Sequence, residues 1–189
     1  MVLNDSTRGG FQSFTIVDEF VTAPIPDWMS FESASVLPLA VSTAAAGLYQ
    51  HEHLFLPLPT RSPVPTGKTL LVWGAAGSVG SAAVQLAVAS GLNVIATVSP
   101  KNFAYAKELG ATEVVDYTPA TVLDDVLAAV KKIGGEFVGC FDAVGKGGWK
   151  PVVHKLGGGK VATVLPPPTD LPDNIEATAG ECFVFLDHT

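Results

Sequence analysis

Only two cysteines, Cys140 and Cys182, occur among the 189 residues. Two thiols cannot build a disulfide framework or a four-cysteine zinc site. Basic residues are scarce too: 11 Lys and Arg stand against 18 Asp and Glu, a formal net charge of −7. No basic block offsets this, so nucleic acid and anionic membranes are poor partners. The opening MVLNDSTRGG is polar and lacks the apolar core of a secretory leader. The longest weakly polar stretch, Ala34 to Tyr49, carries Ser35, Pro38, Ser42 and Thr43. It falls short of the roughly 20 apolar residues that span a bilayer. Together these absences lead to the expectation of a soluble protein in a reducing compartment, the cytoplasm. Its partner would be a small-molecule substrate, with neither nucleic acid nor membrane involved.

Hydrophobic residues make up 48% of the chain and charged residues 15%, which excludes disorder over most of its length. Residues 11–27 read as extended, with Phe14, Ile16, Phe20 and Val21 apolar and Pro24 and Pro26 forbidding a helix. Ser30 is placed to cap a helix that runs to about Tyr49, with Glu32 in its first turn and Pro38 as a kink or break. Pro57, Pro59, Pro63 and Pro65 then form a stiff connection over 56–68, the boundary between two units.

Beyond it the pattern is regular. Apolar runs at 69–73, 93–98, 113–116, 137–142 and 160–165 alternate with helical stretches at 78–90, 102–109, 123–133 and 148–156. The stretch 174–186 could add one more strand. Continuously apolar strands alternating with helices predict βαβ units and an α/β fold, a doubly wound parallel sheet covered on both faces.

Trp73-Gly74-Ala75-Ala76-Gly77-Ser78-Val79-Gly80 carries the chemistry. Ala75, Gly77 and Gly80 fit the G-x-G-x-x-G spacing, with alanine first and Gly74 just before. The chain must leave a strand, turn sharply, and open a helix whose free N–H groups face a pyrophosphate. Gly77 lets the backbone approach the phosphates. Gly80, with Ala83, brings the helix close to the sheet. Coenzymes without a 2′-phosphate are usually held by Asp or Glu about 20 residues further on. Here that strand ends Ser99-Pro100-Lys101-Asn102: a hydroxyl, a cation and an amide, suited to a 2′-phosphate. NADP(H) is therefore expected over NAD(H).

Competing chemistries lack support. Gly67-Lys68-Thr69 imitates the end of a P-loop, but Ser62 replaces the earlier glycine and a strand follows. No tyrosine is followed four residues later by lysine, and there is no Gly-x-Ser-x-Gly elbow. A methyltransferase usually wants an acidic residue where Ser99 stands. His51-Glu52-His53 reads as a solvated helix end, since residues two apart do not face each other. Cys140, in an apolar strand, reads as a buried, inert thiol.

Four segments in chain order carry a family resemblance: Gly9-Gly10-Phe11-Gln12-Ser13-Phe14, Ser35-Val36-Leu37-Pro38-Leu39-Ala40, Thr69 to Gly80, and Lys107-Glu108-Leu109-Gly110-Ala111. Together they resemble the medium-chain dehydrogenase/reductase superfamily. The proline-rich linker and Val98-Ser99-Pro100-Lys101-Asn102-Phe103 are most similar to its fungal zinc-binding-alcohol-dehydrogenase-like members, including the concanamycin-induced type and trans-acting enoyl reductases. The resemblance implies a partial GroES-like catalytic domain with its connecting helix over 1–55. It implies a Rossmann NADP-binding domain over 69–189. The implied activity is NADPH-dependent reduction of an activated double bond or carbonyl, of the quinone or enoyl reductase kind.

Gly77, Ser78, Val79 and Gly80 would hold the pyrophosphate. Ser99, Lys101 and Tyr117 match positions at the 2′-phosphate and adenosine, and Thr43, Val144, Gly145 and Leu165 match positions near the nicotinamide. The Gly-His-Glu segment and four-cysteine loop of zinc-dependent relatives are absent, so zinc is not expected. Relatives are longer, and the alternative reading is a nucleotide-binding fragment that has lost catalysis. They often pair through the last sheet strand, which implies a homodimer through an edge near Phe183–Leu186.

Overall fold

The computed structural model describes residues 9–179. Six strands form one all-parallel sheet: β1 (Lys68–Trp73), β2 (Asn93–Val98), β3 (Glu113–Asp116), β4 (Glu136–Asp142), β5 (Gly159–Thr163) and β6 (Ile175–Ala179). Their spatial order is β3-β2-β1-β4-β5-β6. Six helices accompany them: α1 (Phe31–Ser35), α2 (Leu37–Tyr49), α3 (Ser78–Ala89), α4 (Phe103–Glu108), α5 (Val122–Ile133) and α6 (Lys150–Lys155). This is the doubly wound, Rossmann-like arrangement expected from the alternating pattern.

The central strands are apolar over most of their length because both faces of the sheet are covered, whereas the edge strands β3 (EVVD) and β6 (IEATA) carry charged residues. On β1, Leu70 and Val72 join Val94, Ala96, Phe141 and Ala162 beneath α2, α3 and α4. The intervening Leu71 and Trp73 join Ile95, Cys140 and Val161 beneath α5 and α6. The two helical layers differ in pattern for a physical reason. Helix α3 is nearly all small and apolar, because it lies between the sheet and α2. Helix α5 borders solvent and is amphipathic, with Asp124 and Asp125 in its first turn and Lys131 and Lys132 in its last, matching the helix dipole.

The N-terminal helices sit on this unit. The Ser30 hydroxyl accepts from the Ser33 N–H and caps α1 as expected. The helix breaks at Val36, where α2 restarts with Pro38 in its first turn. Taken together, Phe31–Tyr49 is 19 residues long and, by length and composition alone, apolar enough to cross a membrane. That corrects the sequence estimate, which counted from Ala34. In the fold, Ala40, Ala44, Ala46, Gly47 and Leu48 are buried, and Ala40, Ala44, Gly47 and Leu48 pack against the sheet unit. A Cβ on Gly47 would lie 2.6 Å from the Phe141 ring, so glycine lets α2 approach the sheet. The Tyr49 hydroxyl donates to the Leu86 carbonyl at 3.1 Å and fastens α2 to α3.

Three expectations are adjusted. Residues 11–27 pair with no strand; the backbone is extended at Asp18 and Thr22, but bends up to residue 14 and one short helical turn, Glu19–Val21, interrupt the extended reading. The prolines at 24 and 26 excluded a long helix but supplied no pairing partner. The 51–53 segment is solvated only in part: His51 and Glu52 are exposed, but His53 is buried, with Nδ1 2.7 Å from the Thr178 hydroxyl on β6. Of the 174–186 stretch, β6 is observed over Ile175–Ala179. The remainder, with Cys182 and the Phe183–Leu186 pairing edge, lies outside the described residues.

Candidate nucleotide-binding site

All the strands being parallel, their carboxyl ends share one edge of the sheet. Strand order reverses between β1 and β4, and that switch point is where open α/β sheets leave a crevice for a ligand. Gly74 follows β1 there, with a φ of 83°, so the residue just before the motif spacing makes the sharp turn. Its N–H is held by the Thr97 hydroxyl at 3.0 Å, and the Ala75 N–H donates to the Thr97 carbonyl at 3.0 Å. On the other side of the turn, the Ser81 hydroxyl donates to the Ala75 carbonyl at 3.2 Å and receives the Tyr105 hydroxyl at 3.0 Å. The glycine turn is thus fixed from β2, α3 and α4 together.

Gly77 and Gly80 serve different ends. A Cβ on Gly80 would overlap the Gly74 carbonyl oxygen and lie 2.9 Å from the Ala75 Cα. Glycine there is a packing requirement that sets α3 against the turn. Gly77 has ordinary extended backbone, and a Cβ there would meet nothing within 4 Å. Its side faces open space. The first bond of α3 runs from the Ser81 N–H to the Gly77 carbonyl at 2.8 Å. The amides of Ser78, Val79 and Gly80 therefore stand outside the helical ladder, at its positive end. Gly77 and Ser78 are exposed and Val79 is half-buried. A bare backbone approach beside unpaired amides fits a dinucleotide pyrophosphate.

Six of the other expected residues follow strands and lie along the same edge. Ser99 and Lys101 follow β2, and Tyr117 follows β3. The Val98–Asp116 register brings these two exits side by side. The Asn102 amide donates to the Ser99 hydroxyl at 3.2 Å, while Lys101 and Tyr117 are exposed. Val144 and Gly145 follow β4, and Leu165 follows β5. A Cβ on Gly74 would overlap the Val144 side chain, and one on Gly145 would lie 2.6 Å from Leu165 Cδ1. The glycine turn, Val144, Gly145 and Leu165 therefore form one continuous seam. Thr43 is half-buried on α2, a helix that packs against α3 and approaches β5 at Gly47.

Four residues of this site escaped the sequence reading: Thr97, Ser81, Tyr105 and Asp142. Asp142 is the sole carboxylate at the apolar end of β4 and is fully buried. A charged residue closing an apolar strand was the available signal. Cys140, two residues earlier, is buried as expected, and burial, with a smaller contribution from the Asp142 charge, pushes its thiol well above the ordinary range. Among the described residues, no three His, Cys, Asp or Glu side chains gather as metal ligands.

Comparison with known proteins agrees with this geometry. Residues 78–164 match the zinc-binding dehydrogenase family. The chain is 50% identical over 156 residues to a dehydrogenase, pigH, of Monascus ruber, covering 82% of this chain and 41% of that protein. It is 44% identical over 174 residues to a trans-enoyl reductase, himH, of Aspergillus japonicus, covering 90% of this chain and 49% of that protein. Among solved structures it is similar to the quinone oxidoreductase of Thermus thermophilus, a protein also determined with NADPH. That match has 29% identity and a TM-score of 0.57, over 82% of this chain and 48% of the other. The chain thus spans about half the length of the curated relatives it matches. With the sheet order, the glycine turn and these likenesses in agreement, the chain belongs to the medium-chain dehydrogenase/reductase superfamily.

Proposed function

We propose that this chain supplies the coenzyme-binding unit of an NADP(H)-dependent, zinc-independent oxidoreductase that passes hydride to an activated double bond or carbonyl. One observation carries the reading: Gly77 opens onto free space beside the unladdered amides of Ser78, Val79 and Gly80, at the β1/β4 switch point. The nicotinamide supplies the hydride when bound. The chain's own residues bind and orient. Gly77 to Gly80 receive the pyrophosphate. Ser99, Lys101 and Tyr117 face the adenosine and its 2′-phosphate. Val144, Gly145 and Leu165, with Thr43 on the neighbouring helix, line the nicotinamide end. In such a site, rate comes from holding the reactants in line and from the electrostatics of the pocket.

The coenzyme choice is supported by what stands after β2. No carboxylate is there to repel a 2′-phosphate, and the Lys101 ammonium is exposed and makes no ion pair among the described residues. Lys101→Ala is expected to weaken NADPH binding by about tenfold at low salt and to leave NADH unchanged. Titration calorimetry with both coenzymes checks this; equal affinities in the parent and variant would remove the NADP(H) assignment. Dialysis against EDTA should leave coenzyme binding and NADPH oxidation intact. Steady NADPH oxidation with a panel of quinones and enones then separates an enzyme from a module that binds without turnover.

A further inference from the structure

We infer that Asp142 is the positioning residue for the nicotinamide end of the crevice, acting through the turn between β4 and α6. The inference rests on the dinucleotide reading above. Asp142 is fully buried at the end of an apolar strand. A carboxylate in that setting is costly unless each oxygen is hydrogen-bonded. Here both are. Oδ1 accepts the N–H groups of Val144 at 2.9 Å and Gly145 at 3.0 Å. Oδ2 accepts the indole N–H of Trp149 at 2.6 Å, and Trp149 is itself fully buried. One side chain therefore grips the turn at its start and at the threshold of α6.

The same residue also acts through its backbone. Its carbonyl accepts the Val164 N–H at 3.1 Å, which anchors the segment that carries Leu165. The next residue, Ala143, donates its N–H to the Trp73 carbonyl at 2.9 Å, beside the glycine turn. Asp142 thereby fixes three surfaces at once: Val144 over Gly74, Gly145 against Leu165, and the exit of β5. None of these bonds involves the β2 and β3 exits, where the adenosine end is proposed to lie. Loosening Asp142 should therefore disturb one end of the ligand and spare the other.

The carboxylate is specifically suited to this task because all three of its partners are donors. An asparagine would offer its oxygen to the two turn amides and its NH2 to the indole N–H, donor against donor. Asp142→Asn thus perturbs the turn with almost no change in volume. Removing the indole donor as well, in Asp142→Asn/Trp149→Phe, relieves the conflict.

The test compares NADPH with 2′-phospho-ADP-ribose, which lacks only the nicotinamide, by calorimetry, with thermal melting as a separate readout. Asp142→Asn should weaken NADPH by tenfold or more while 2′-phospho-ADP-ribose stays within twofold, and the double variant should recover most of the NADPH affinity. Should Asp142→Asn not fold, Trp149→Phe alone, which leaves Oδ2 without its donor, should still lower the ratio of the two affinities by threefold or more. Parallel weakening of both ligands, or an unchanged ratio in a folded variant, overturns the assignment. Failure of the parent protein to bind either compound defeats the dinucleotide reading and this one with it.

Discussion

Trp149 and Phe14 are both large aromatic residues, yet the first is fully buried beneath the sheet and the second is 91% exposed. The contrast extends to their neighbourhoods. From Lys68 onward, the carboxyl edge of the sheet is braced by side chains placed for it: Thr97 and Ser81 on the glycine turn, Asp142 on the next. In the stretch before α2, Phe11, Phe20, Trp28 and Phe31 all face solvent, and no strand or long helix organises residues 9–30. An apolar side chain contributes to stability only when it leaves water. The sheet unit therefore holds itself together, whereas the N-terminal stretch draws little stability from its own contacts.

Substitutions can sharpen that contrast. The largest effect belongs to Gly80→Ala, whose Cβ would overlap the Gly74 carbonyl; chemical denaturation should show a loss of about 1–3 kcal/mol or failure to fold. Gly77→Ala is its counterpart. With nothing within 4 Å of the new Cβ, the midpoint should hold, while coenzyme affinity falls by tenfold or more, about 1.4 kcal/mol. A coincident loss of stability would mean that Gly77, too, serves the fold.

A pH titration probes how the segment after α2 is held to the sheet. His53 joins the end of α2 to β6, and burial, against the raising influence of Glu52 and with help from Lys160, holds its pKa below the ordinary value. The unfolded chain then binds a proton that the folded chain resists, so stability should be intact above about pH 6.5 and fall as the pH drops below it. His53→Gln should flatten that slope in denaturation midpoints measured between pH 7 and 5. The smallest effect is expected from Phe11→Ser/Phe14→Ser/Phe20→Ser. Stability should change by less than about 0.5 kcal/mol, while self-association by light scattering declines. A substantial destabilisation would show that the N-terminal stretch is structured by contacts of its own.

Much of the sheet was legible in the sequence because its signals are local. The strand limits 93–98 and 113–116 match the observed β2 and β3, since each holds β-branched apolar residues closed off by polar ones. β5 stops at Thr163, two residues short of the expected end, because its partner β4 ends at Asp142, which pairs with Thr163, and prolines follow at 166–168. The expected residues that follow strands share one edge, because parallel strands bring every strand exit to the same side; Thr43, on α2, does not follow a strand. Thr97, Ser81 and Tyr105 were not legible, and Asp142 offered only its charge at the end of an apolar strand. Each acts on a partner from another element or across a turn, and no periodicity encodes such a meeting. The 11–27 stretch misled for the opposite reason: its apolar residues resemble a strand's, but pairing depends on a neighbour that local pattern cannot supply.

The spacing of the strand exits has a consequence for how such a protein can change. In the proposed arrangement, recognition of the phosphate tag occupies the loops after β2 and β3, on one side of the glycine turn. The seam from Gly74 through Val144 to Leu165 lies on the other. None of the Asp142 side-chain bonds crosses between them. On that proposal, mutations that retune which coenzyme is accepted would accumulate on one flank without moving the nicotinamide end, and the two traits would be inherited, lost or engineered separately.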